Sequence, residues 1–182
     1  MSSFAVPTRE DVSPQNQALF DNLKGALGFV PNLYATIAYS GNALGNYLQL
    51  QNVKTSLSKK EKEVVNLVVS QVNECAYCLA AHTVLGKMNG LTDEQILEIR
   101  QGSALFHPKL DALVKLTREI TLHKGRIAGA HLDAFYAAGY TNESLVDVMV
   151  AIGDKVIMNY LHNLTQIPVD FPPAPKLNAV EA

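Results

Sequence analysis

Two cysteines occur in the 182-residue chain, and both fall in one run of four, Cys75-Ala-Tyr-Cys78. In a helix their α-carbons lie about 5 Å apart, inside the roughly 4.4–6.8 Å that a disulfide spans. They can therefore bridge without unfolding the helix. The loop so closed is too short to constrain the chain much, which leaves the bond free to cycle. With Asn73 as N-cap, Cys75 falls in the first turn, where free amide donors and the helix dipole favour a thiolate and Glu74 partly opposes it. His82 follows Cys78 by one turn on the same face and can take or return a proton. Two other readings stand beside this one. The cysteines can be a pair of small buried apolar residues. Alternatively Cys75, Cys78 and His82 are metal ligands with Glu63 as the fourth. One helix places three ligands awkwardly around a tetrahedral ion, and the sequence has no second C-x-x-C and no H-x-x-x-H to complete the set.

The rest of the chain has to hold these groups in place. With 48% hydrophobic and 18% charged residues, the composition is that of a single folded domain over residues 1–182. Fifteen basic against seventeen acidic residues, a net charge of −2 and a pI near 6.2 leave no excess to neutralise nucleic acid or an anionic membrane. No window approaches eighteen apolar residues, and the amino end lacks the pattern of a signal peptide, so a cytoplasmic location is expected.

Helix signals dominate. Ser13-Pro14 opens a short first helix, and helical spacing resumes over Leu33 to Leu50 with interruption at Gly41 and Gly45. Ser58-Lys-Lys-Glu61 is a capping box, after which valines recur at every fourth position, favouring helix over strand. Cys75 to Met88 forms the next helix, followed by Thr92 to about Arg100. Further helices run from about Leu110 to Gly125, from Ile127 to Ala138 and from Leu145 to Leu164. The last of these carries Leu145, Met149, Ile152 and Val156 on one stripe. Residues 167–182, with four prolines, read as an extended tail that docks on a neighbour or stays mobile.

Laid on itself with a shift of 49, the chain repeats. Val65, Leu67, Ala81, His82, Gly90, Thr92 and Glu94 fall on Val114, Leu116, Ala130, His131, Gly139, Thr141 and Glu143. The reading is an all-α fold with an internally duplicated helical unit, the first copy at about 58–100 and the second at about 107–150. At this shift Glu63, Cys75 and Cys78 meet Ala112, Lys124 and Ile127, so one site per chain is expected, in the first copy.

Glu63, eleven residues, Cys75-Ala-Tyr-Cys78, three residues and His82 together resemble the E-x11-C-x-x-C-x-x-x-H signature of AhpD-like alkylhydroperoxidases, in the carboxymuconolactone decarboxylase superfamily. Gly28-Phe-Val-Pro-Asn32 and the segments Asn159–Asn163 and Pro168-Val-Asp170 resemble the peroxidase-related branch. The resemblance implies an AhpD-like helical fold, a homo-oligomer (dimer, trimer or hexamer), and a thiol peroxidase needing no bound cofactor and no metal. In its cycle Cys78 attacks a small hydroperoxide and Cys75 resolves the product to a disulfide, with Glu63 and His82 as proton relay and an external dithiol or thiol as electron donor. Decarboxylase members lack the cysteine pair, which points away from lactone decarboxylation. One position departs: Tyr77 stands where well-studied members have His, and a phenol is a poor base near neutral pH, so Tyr77 is an accessory group that shortens or slows the relay. The alternative is a redox-sensing or stress-response interaction protein whose pair switches state without efficient turnover.

The relay sets a geometric condition. Were residues 58–88 one straight helix, Glu63 would sit about 18 Å along the axis from Cys75. A break near Ser70–Glu74 is required. His162, close to Asn159 and Tyr160, is either a cap or oligomer contact or an accessory group above Cys78. His107 and His123 read as solvated.

Overall fold

All regular structure among the described residues, 4–177 of a computed structural model, is helical: a 3₁₀ turn at Arg9–Asp11 and nine α-helices. They gather into two units, one of residues 4–54 and 160–170, the other of residues 55–159 and 171–177. The last five residues of the expected tail lie outside the described part.

The first unit is built on α1 (Pro14–Leu27), α2 (Asn32–Ile37) and α3 (Ala43–Gln51). Ser13 accepts from the Asn16 amide and Pro14 occupies N1, as the sequence indicates; Gly28, at φ 85°, closes α1 in the left-handed conformation. The chain turns between α2 and α3, and Gly45 lies inside α3. Fully buried Asn16 holds the turn by donating to the carbonyls of Ala38 (2.8 Å) and Ser40 (3.0 Å). Pro31 offers α2 no side-chain cap, and Asp170, from far along the chain, accepts from the Asn32 amide at 2.8 Å instead.

In the second unit α4 (Lys59–Val72) lies at the centre, against α5 (Ala76–Met88), α6 (Asp93–Gln101) and α7 (Pro108–His123). Ser58 and Glu61 form the expected capping box, and Thr92 and Gln95 form the one that opens α6. Val64, Val65, Val68 and Val69 are all at most 2% exposed and pack with Ile96, Ile99, Leu113, Leu116 and Phe135. Each buried valine contributes about 1.5–3 kcal/mol, enough to outweigh its weak helix propensity. α8 (Gly129–Ala137) and α9 (Asn142–Thr165), the latter as far as Asn159, complete the set. His107 is exposed, but its Nδ1 also caps α7 by accepting from the Leu110 amide. Residues 171–177 are not helical and dock within their own unit: Arg100 donates to the Pro175 carbonyl at 2.7 Å, and Phe171 meets Tyr77 edge-on at 5.7 Å.

The shift of 49 read from the sequence recurs in the element bounds. α7 begins 49 residues after α4, and α9 begins 49 after α6; α8 ends 49 after α5 but starts four residues late. The missing turn is the stretch that matches the cysteine run. There Lys124 and Gly125 take φ of 54° and 83°, and helix resumes at Gly129 rather than at Ile127.

Candidate active site

The joint between α4 and α5 meets the geometric condition set by the sequence. α4 ends at Val72; the Glu74 amide donates to the Gln71 carbonyl at 3.2 Å and the Cys75 amide to the Ser70 carbonyl at 3.0 Å. This is a Schellman closure, with Glu74 at φ 52° in the left-handed position that glycine usually fills. Cys75 then starts α5 at once: its sulfur accepts from the Cys78 amide at 3.3 Å and its carbonyl from the Leu79 amide at 2.9 Å. The expected cap Asn73 is thus replaced by Cys75 itself. Asn73 closes α4 instead, because the three-residue joint leaves it on the wrong side of the turn.

Folding back at this joint brings Glu63 to His82. Their side chains are about nine-tenths buried, and Glu63 Oε2 lies 2.7 Å from His82 Nδ1. Burial holds the imidazole below its ordinary value, Lys155 adds to this, and Glu63 pulls the other way. A neutral ring that donates Nδ1–H to the carboxylate keeps a lone pair on Nε2 as a base. Cys78 and His82 stand one turn apart on the same face of α5.

Both cysteines are free thiols and buried, Cys75 at 0% and Cys78 at 3% exposure. The hydrogen bond with Cys75 pushes the Cys78 thiol up, and burial adds to it; the charge of Lys155 and a hydrogen bond from Asn159 work in the opposite direction. Tyr77, 3% exposed, packs on Phe171. His162 is buried in the first unit, where its Nε2 lies 3.3 Å from the Ile167 carbonyl.

Lys155 and Asn159 had not been singled out for chemistry. Both are on α9 and buried, at 3% and 0% exposure. Asn159 donates to Ser70 Oγ at 3.2 Å and accepts from Asn73 at 3.0 Å, which ties α9 to the end of α4. Lys155 has Asp154 Oδ2 at 3.7 Å. The buried stripe of α9 runs through Val148, Ile152, Lys155 and Asn159, whereas Met149, expected on that stripe, is 45% exposed. The signal in the sequence was a lysine and an asparagine at apolar spacing. Among the described residues no group of three or more His, Cys, Asp or Glu is placed to hold a metal ion, and no helix is long and apolar enough to cross a membrane.

Residues 41–119 match the carboxymuconolactone decarboxylase family. YdfG of Bacillus subtilis (strain 168), an uncharacterized protein, is 26% identical over 121 residues, which cover 65% of this chain and 82% of YdfG. An uncharacterized peroxidase-related protein with an alkylhydroperoxidase AhpD core, from Ralstonia eutropha JMP134, superposes with a TM-score of 0.80 at 18% identity, over 93% of this chain and 90% of that one. The debrominase Bmp8, in complex with 2,3,4-tribromopyrrole, gives 0.76 at 14% identity, over 93% and 92%.

Proposed function

From the match of residues 41–119 to the carboxymuconolactone decarboxylase family and the fold shared with a protein that has an alkylhydroperoxidase AhpD core, we propose that this chain is a thiol peroxidase that turns over through Cys75 and Cys78. The observation that carries the reading is the buried Glu63–His82 pair, delivered by the Schellman joint to the helix that bears both cysteines. A thiol kept protonated by burial and by its neighbour needs a base at the moment of attack, and neutral His82 is one.

In the proposed cycle His82 Nε2 takes the Cys78 proton and the thiolate attacks the terminal oxygen of ROOH. The O–O bond breaks, Cys78 becomes sulfenic acid, and the proton returns to the leaving oxygen as ROH. Cys75 then attacks the Cys78 sulfur, the S–S bond forms, and water leaves. An external dithiol reduces the disulfide and is itself oxidised. Glu63 orients His82 and balances the charge it acquires. Lys155 and Asn159 stabilise the Cys78 thiolate.

The test is peroxide consumption by the purified chain with cumene hydroperoxide and several dithiols. Wild type is expected to turn over many equivalents, Cys78→Ser none. Consumption that stops after one equivalent with every donor supports the sensing alternative, and consumption indifferent to Cys78→Ser overturns the peroxidase. Given the fold shared with Bmp8, a brominated pyrrole belongs in the same assay, since a dithiol also supplies the two electrons that reductive debromination consumes.

A further inference from the structure

Arg100 has no part in the chemistry of the thiols, and its surroundings are those of an unfinished ion pair. Of the chain's four arginines, Arg9, Arg118 and Arg126 are exposed and Arg100 alone is buried, at 8% exposure. Arg9 has Asp21 at 2.8 Å and Arg118 has Glu119 at 3.3 Å, at positions where water serves a guanidinium nearly as well. Arg100 has neutral acceptors only: its Nε donates to Gln71 Oε1 at 2.9 Å and its Nη1 to the Pro175 carbonyl at 2.7 Å. No carboxylate among the described residues pairs with it, and burial alone acts on the group, pushing its pKa down.

A guanidinium keeps its charge at any pH a protein meets, and a buried charge without a partner is costly. The last turns of α6 and α4, which carry Arg100 and Gln71, offset part of that charge with their carbonyl ends. They leave donors over. Two of the five N–H groups are taken, and both on Nη2 meet no acceptor among the described residues. The position therefore lacks a negatively charged acceptor, and the flat fork of a guanidinium matches a carboxylate. With so little of the residue exposed the opening is narrow, which favours a terminal carboxylate over a bulky anion.

We propose that Arg100 is a binding site for the carboxylate of a small molecule taken from solution, received on Nη2. The same guanidinium holds the Pro175 carbonyl, so the ligand sits against the segment 171–177, whose Phe171 lies on Tyr77 beside Cys78. The site stands whichever substrate the thiols take.

Nuclear magnetic resonance of the nitrogen-labelled full chain tests it, through the Nε–H signals of the four arginines, with that of Arg100 assigned from Arg100→Lys. Sodium acetate, exchanged for chloride at constant ionic strength just below neutral pH, should move the Arg100 signal along a saturating curve in the millimolar range. The signals of Arg9, Arg118 and Arg126 should stay in place. An Arg100 signal that does not move, or four signals that drift together without saturating, overturns the site. Outside the described residues one acidic side chain remains, Glu181. If acetate moves the Arg100 signal only in Glu181→Gln, the chain supplies its own carboxylate and a ligand from solution is overturned.

Discussion

Glu63 and His82, nineteen residues apart in sequence, meet at 2.7 Å in the interior of the second unit. The contact exists only because α4 stops at Val72 and α5 leaves it within three residues. Glu63→Gln keeps the shape and a hydrogen bond but removes the charge that supports a protonated His82. The rate of Cys78 oxidation by hydroperoxide is expected to fall about 10²-fold, measured by trapping unreacted thiol and mass spectrometry. An unchanged rate would remove Glu63 from the relay.

Stability should depend on pH through His82. Burial makes the folded chain bind the imidazole proton less readily than the unfolded chain, whose ordinary value is near 6.5. Below about 6.5 the unfolded state therefore holds more protons, and stability is lost as pH falls through that value. The urea midpoint should drop on acidification, and His82→Asn should flatten the dependence. A midpoint in wild type that is level across this range contradicts the burial argument.

Lys155→Met removes a cation that favours the Cys78 thiolate. Alkylation of the reduced protein by iodoacetamide, followed against pH, should begin about one pH unit higher than in wild type. If the profile does not move, Lys155 has no part in activating the thiol.

Glu74→Gly should stabilise the protein. A side chain in the left-handed position costs about 1 kcal/mol that glycine avoids, and in a chain of this size that amounts to roughly 2–4 °C in Tm. Calorimetry of the variant tests whether the joint is under strain; a lower Tm would mean that the Glu74 side chain contributes more than its backbone costs.

Much of the helical order was legible in the sequence because caps act locally: Ser13 and Ser58 mark the ends they were read to mark, and α6 opens at Thr92 as its pattern indicates. The cap of α5 was misjudged because a cysteine is an unusual cap, and the hydrogen bond from the Cys78 amide to the Cys75 sulfur reveals it. The inner face of α9 was misjudged for a related reason. Lys155 and Asn159 look like solvent-facing residues, so the stripe was drawn through Met149 and Val156, and only tertiary packing shows that the polar pair points inward. Asp170 capping α2 across 138 positions is beyond any local rule.

The three-residue joint also bears on how information leaves the site. Cys75 is pinned from both sides, by Ser70 behind it and by Cys78 and Leu79 ahead. Its partner sulfur is already within one helical turn, so oxidation asks for a rotation of side chains and no displacement of backbone. A sensor must convert its chemistry into a change of shape that another molecule can read. A pair so confined resets quietly, which suits a turnover site better than a signal.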